Sequence, residues 1–352
     1  MSKNKTICIL GPDILRPNAE ELRLKAEVIS GRYDLTPIIP DGTADKKTYS
    51  HSGQFSEEIY KKNIKSIEKS DFVIADISPF RGPSGEAATM FNIGYATAKG
   101  IKVFAHTSDS RDYKTRVGAP DGMLIEDFSN VENLMIAHSI ATLSPSIEDA
   151  FKKAEEASKK GLTKGANQPD LHARLIADEV GVYVAGPDVF YPNAKELADN
   201  ARELGVKYGL KSLIPIDNEI VGDFKTPTEL SEEIYRKNVE MIDRAAITIA
   251  NISPFRGPSA DSGTVWEIGY SVGKNMVVFA FTDDMSEYKS RVSKDDPNIV
   301  ENFKLPEVGV IANAVHSISP SIEEAFRKAQ EYVQEVKLKE TNKSTNKNKP
   351  SI

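Results

Sequence analysis

The stretch "ICILGPDILRPNAEEL", residues 7–22, returns as "VYVAGPDVFYPNAKEL" at residues 182–197. Further along, "SEEIYKKNIKSIEKS" (56–70) meets "SEEIYRKNVEMIDRA" (231–245). "ISPFRGPS" stands identically at 77–84 and 252–259, and "SPSIEDAFKKA" (144–154) meets "SPSIEEAFRKA" (319–329). Every match is a step of 175 residues, so no net insertion separates the copies and one domain has been duplicated. Residues 1–158 make the first repeat and 179–335 the second, joined by a linker at 159–178. The tail, 336–352, ends in "KETNKSTNKNKPSI", is polar and poor in apolar residues, and is expected to be disordered.

Within each copy short apolar runs alternate with amphipathic segments, the pattern of a parallel sheet covered by helices. In the second copy strands are expected near 182–185, 212–215, 247–252 and 277–281, with helices at about 194–208, 231–244 and 262–274 and a last strand less distinct. The fold class is α/β, each repeat a doubly wound, flavodoxin-like domain. Ligands of such domains sit beyond the carboxyl ends of the strands, where "GPD" and "SPFRGPSADSG" fall.

Composition narrows the function. A net charge of -7 with scattered Lys and Arg argues against a nucleic acid polymer as partner. One cysteine, Cys8, forbids an intrachain disulfide, and five scattered histidines show no metal-ligand spacing, so no metal is expected. The N-terminus has too short an apolar run for a signal peptide or membrane span, so no membrane partner and a cytoplasmic location are expected.

The two copies diverge where chemistry could reside: "ADSGTVWEIGY" (260–270) answers "GEAATMFNIGY" (85–95), with Asn92 in place of Glu267. Asp261 or Ser262 suits the cap of the helix that starts there. Glu267 leans back over Gly263, which leaves room beside the carboxylate for a ligand. Its apolar neighbours suggest a half-buried charge in use, but a solvent-facing Glu near a helix N-terminus accounts for this helix equally well.

The run "SADSGTVWEIGYS", with "VYVAGPDVFYPN" upstream and "LIPIDNE" between, resembles the nucleoside 2-deoxyribosyltransferases over essentially each whole repeat. The resemblance implies a cofactor-free exchange: a carboxylate attacks C1′ of a 2′-deoxynucleoside, the base leaves, and a free purine or pyrimidine base attacks the glycosyl-enzyme. By position it assigns the nucleophile to Glu267, the tyrosine holding it to Tyr183, an acid contacting base or sugar to Asp261, and a base contact to Asn238. Gly263 borders the ligand space already read from the helix, and Trp266 is expected near the base pocket. Without the resemblance Tyr183 reads equally as a packed strand aromatic, Asp261 as a plain cap and Asn238 as a surface amide.

In the first copy Tyr183 becomes Cys8, Asp261 becomes Glu86 and Glu267 becomes Asn92, and an amide cannot replace a carboxylate nucleophile. "GPD", "SPFRGP" and "IGY" persist in both copies and read as scaffold, with Arg81 and Arg256 structural and a phosphate-binding role left open for Arg256. The family also completes each site with an Asn-Leu-Met segment donated by a neighbouring subunit. Here that segment is Asn133, Leu134 and Met135 of the first copy, whereas the second has Val308, Gly309 and Val310. The losses are complementary, so the expectation is an internal pseudo-dimer with one site, built from Tyr183, Asn238, Asp261 and Glu267 of one repeat and Asn133 and Met135 of the other. Relatives assemble further, which implies a homo-oligomer of the tandem chain. The alternatives are an N-glycosidase acting on nucleosides or their 5′-monophosphates, and a non-catalytic nucleoside binder.

Overall fold

In the computed structural model, residues 5–40, 53–118, 121–160 and 171–347 are described. The first repeat runs β1 (Lys5–Leu10), α1 (Ala19–Gly31), β2 (Leu35–Ile38), α2 (Gly53–Lys69), β3 (Phe72–Asp76) and α3 (Ala87–Ala98). It continues through β4 (Lys102–His106), α4 (Tyr113–Val117), α5 (Leu134–Ala137), β5 (Thr142–Ser144) and α6 (Ile147–Lys159). A short α7 (Leu171–Leu175) precedes the second repeat: β6 (Gly181–Ala185), α8 (Ala194–Lys207), β7 (Lys211–Leu213), α9 (Pro227–Arg244), β8 (Ile247–Asn251) and α10 (Ser262–Gly273). There follow β9 (Val277–Phe281), α11 (Tyr288–Arg291), α12 (Gly309–Ala314), β10 (Ser317–Ser319) and α13 (Ile322–Lys347).

Each repeat builds a parallel five-stranded sheet, ordered β2-β1-β3-β4-β5 and, by equivalence, β7-β6-β8-β9-β10. This is the doubly wound, flavodoxin-like order expected, with its switch point between the first and third strands. The central strands β3 and β8 are buried along their whole length, as strands covered on both faces must be. The less distinct last strand is only three residues long.

Two differences from the sequence reading have physical causes. Helix α9 starts at Pro227 rather than 231, because the Thr226 hydroxyl accepts from the Glu229 amide at 3.1 Å and proline occupies the first turn. The chain beyond 336 is helical to Lys347, continuing α13. Lys337, Lys339 and Glu340 in this stretch are good helix formers. Of the joining segment, 161–170 lie outside the described residues, and 171–175 form α7.

One apolar core lies outside each sheet, and a third, between the sheets, takes residues from both repeats. Its centre is the crossing of α3 and α10. A Cβ on Gly94 would lie 2.1 Å from the Trp266 carbonyl oxygen, and one on Gly269 would lie 2.0 Å from that of Phe91. This explains "IGY" in both copies: the helices approach so closely that only glycine fits. The "SPFRGPS" loops also meet reciprocally, since a Cβ on Gly82 would stand 2.8 Å from the Arg256 carbonyl oxygen and one on Gly257 2.8 Å from that of Arg81.

Arg81 and Arg256 adopt φ of 58° and 53°, a region costly for residues other than glycine. Their side chains hold them there. Arg81 donates to Asp296 and the Ile299 carbonyl of the second repeat, and Arg256 to Asp121 and the Leu124 carbonyl of the first. Each repeat thus clamps a loop of the other. No described helix is long and apolar enough to cross a membrane.

Candidate active site

At the rim of the second sheet, β6 and α10 bring Tyr183 and Glu267 together. The phenol donates to the Glu267 Oε1 carboxylate oxygen, and Tyr183 is fully buried. Glu267 is 6 % exposed and its pKa is pushed up to about 8, chiefly by burial, with the nearby Asp261 charge adding to the rise and the tyrosine opposing it. A strand aromatic sits here because α9 and α10 cover this face of β6. Its hydroxyl needs a partner in that setting, and the carboxylate is the partner.

Asp261 caps α10. Its Oδ2 accepts from the Thr264 amide at 2.9 Å and the Thr264 hydroxyl at 3.0 Å. The other oxygen, Oδ1, is buried and finds no hydrogen-bond partner among the described residues. Burial, the largest influence, raises the Asp261 pKa despite the cap bonds. A buried carboxyl oxygen without a donor is costly unless a substrate group or a proton meets it.

The first repeat reaches into this space through α5. A Cβ on Gly263 would lie 2.7 Å from the Asn133 Oδ1 atom, so the glycine is what admits Asn133 over the first turn of α10. Asn133 is itself aimed by three contacts. Its Oδ1 accepts from the Met135 amide at 2.9 Å, its Nδ2 donates to Glu126 at 2.9 Å, and its backbone amide donates to Glu132 at 2.9 Å. Met135 continues inward, where its sulfur is 3.7 Å from the Asn238 Nδ2 of α9. Asn238 in turn accepts from the Asn218 amide at 2.8 Å.

Seven of the eight residues expected at the site, Tyr183, Asn238, Asp261, Gly263, Glu267, Asn133 and Met135, therefore fall in one region where the repeats meet. Trp266 does not line it. Its indole is fully buried, donates to the Ser139 hydroxyl at 3.0 Å and stacks on Tyr270 at 5.1 Å, so it packs the seam between repeats. As the neighbour of Glu267 on a helix, it points about a quarter-turn away. Arg256 is committed to its cross-repeat clamp, in keeping with the structural role expected.

Glu126 escaped the sequence reading. Its carboxylate holds both Asn133 Nδ2 and the Leu134 amide at 2.9 Å, and burial pushes its pKa up to about 8. The signal available was its repetition: Glu301 stands at the same place in the second copy and accepts from the Gly309 amide at 2.7 Å. Among the described residues no group of three or more His, Cys, Asp and Glu side chains is arranged to hold a metal ion.

A duplicated doubly wound α/β unit, with a buried tyrosine–carboxylate pair at the strand rim of one copy, is the class of protein that fold and site define. The chain belongs to the nucleoside 2-deoxyribosyltransferase family, whose model matches residues 9–135 and 182–314. A 2-deoxyribosyltransferase structure from Leishmania mexicana is similar at 32 % identity, covering 44 % of this chain and 98 % of that one, with a TM-score of 0.38. One from Bacillus psychrosaccharolyticus is 18 % identical over 44 % of this chain and 92 % of that one, at a TM-score of 0.31. An uncharacterised Schizosaccharomyces pombe protein is 34 % identical over 113 residues, 32 % of this chain. The chain thus spans about half, 54 %, of the length of that curated relative. The fold itself rests on strand order.

Proposed function

We propose that the protein is a nucleoside 2-deoxyribosyltransferase with one composite site per chain, in which Glu267 is the nucleophile. The observation that carries this reading is the buried Tyr183–Glu267 pair, with Asn133 of the other repeat lying over Gly263 beside it. A carboxylate bonded through one oxygen to a phenol has its second oxygen left to attack an anomeric carbon.

In the first step the Glu267 carboxylate bonds to C1′ of a 2′-deoxynucleoside as the C1′–N bond breaks. The departing base takes that electron pair, and a proton reaches it from the Asp261 carboxyl. Burial favours the protonated form of that carboxyl. Tyr183 orients Glu267 and withdraws as the charge on the carboxylate is spent in the ester. A second base then attacks C1′, releases the carboxylate and returns a proton to Asp261. On this reading Asn133 contacts the sugar, and Asn238 and Met135 border the base. A dry site suits transfer over hydrolysis, because an acceptor base excludes water from the glycosyl-enzyme.

The test is incubation with 2′-deoxyadenosine and free cytosine or hypoxanthine, with products separated by chromatography and Glu267→Ala run alongside. A new deoxynucleoside that disappears in the variant supports the reading. Free adenine and deoxyribose without one would move the assignment to an N-glycosidase.

A further inference from the structure

The first repeat has at its own strand rim a cavity of about 670 Å³, within the roughly 300–1,000 Å³ of small-molecule sites. Its wall is made from the positions that the 175-residue step equates with the site above. Asn92 stands for Glu267, Asn63 for Asn238 and Glu86 for Asp261, while Glu301 and Val310 reach in from the second repeat as Glu126 and Met135 do from the first. All of these are described residues. Residues 41–52, which match the segment after β7 in sequence, lie outside the described residues.

The chemistry of that wall selects a ligand. Asn92 is 3 % exposed, and its Oδ1 has no hydrogen-bond partner among the described residues, so a buried acceptor waits for a donor. Charge offers little: Arg16 pairs with Asp13 and Arg23 with Glu20 and Glu27, while the Glu86 carboxylate is spent capping α3 through the Ala88 and Thr89 amides. What remains is an amide-bearing wall beside apolar Ile59 and Val310, suited to an uncharged ring with N–H groups on its edge.

We propose that the first repeat is a second, non-catalytic binding site for a nucleoside or its free base, with Asn63 and Val310 bordering the base as Asn238 and Met135 do in the second repeat, and the Asn92 amide accepting a hydrogen bond from the ligand where Glu267 would attack. The ligand class rests on the function proposed above. An amide cannot form the glycosyl ester, so a nucleoside is held there without being cleaved.

The experiment is calorimetric titration of the full-length Glu267→Ala chain with 2′-deoxyadenosine, thymidine and adenine. The expected result is two equivalents of at least one probe per chain, falling to one when Asn92→Leu is added. Ile59→Trp, which fills the cavity, removes the same equivalent and decides the matter should the Asn92 variant fail to fold. A single equivalent that both changes abolish still supports the site and locates the loss in the second repeat. Binding of every probe that neither change alters, or no binding at all, would overturn the proposal. Failure of the proposed function would appear separately, as an absence of base exchange by the unaltered chain.

Discussion

Gly94 and Gly269 face each other's helices at the crossing of α3 and α10, each leaving about 2 Å between an absent Cβ and a carbonyl oxygen of the opposite helix. The obstacle on each side is backbone, which cannot swing away as a side chain would. Gly269→Ala should therefore destabilise by about 3 kcal/mol or more, the upper part of the range for overpacking. Thermal unfolding would register this as a drop of several degrees. An unchanged midpoint would mean that the helices separate easily, contrary to the packing seen.

Tyr183→Phe removes the hydrogen bond that opposes the rise in the Glu267 pKa. Glu267 reacts as the carboxylate and Asp261 as the acid, so the rate of the unaltered enzyme should climb as pH rises through about 8 until loss of the Asp261 proton turns it down again. In the phenylalanine variant that limb should move to higher pH, and activity at pH 7 should fall roughly 10- to 100-fold, the scale of a charged hydrogen bond. A reduced rate with an unmoved limb would assign Tyr183 to some other task.

The same titration affects stability with a definite sign. The folded Glu267 pKa, about 8, lies above the ordinary value of 4.5, so between those pH values the folded chain holds a proton the unfolded chain has lost. Stability from this group is full below pH 4.5 and declines as pH rises through 8. Glu267→Gln, which stays neutral, should melt close to the unaltered protein near pH 5 and increasingly above it toward pH 8.5. A constant gap across that range would show that the carboxyl ionises normally.

Asn133→Ala tests whether the first repeat completes the site of the second. The expected outcome is a 10-fold or greater loss of base exchange with little change in melting temperature. Full activity would remove Asn133 from the site.

Glu126 acts, on this geometry, as a positioning residue through Asn133 and the Leu134 amide. Glu126→Ala should raise KM for the deoxynucleoside more than it lowers kcat, and Glu126→Gln, which retains one acceptor oxygen, should recover much of the loss. Equal damage from both variants would point to a purely structural role.

The architecture was readable because duplication supplied an internal comparison and because strand and helix periods differ. Near the site, legibility depended on residue type. Glu267 and Tyr183 stood out as a matched loss in the other copy, and the Asn133 segment as a matched retention. Trp266 misled, since proximity in sequence to Glu267 says nothing of the face it occupies, and on a helix the adjacent residue points elsewhere. Glu126 was missed for the opposite reason: it lies in an irregular segment where no periodicity tells a buried acid from a solvated one, and only its recurrence as Glu301 marked it.

The close crossing of α3 and α10 joins two halves of one polypeptide. In an assembly of separate subunits such a contact obeys mass action and loosens on dilution, whereas here the partner's effective concentration is set by the tether. The seam that brings Asn133 to Gly263 should be as complete at nanomolar protein as at millimolar.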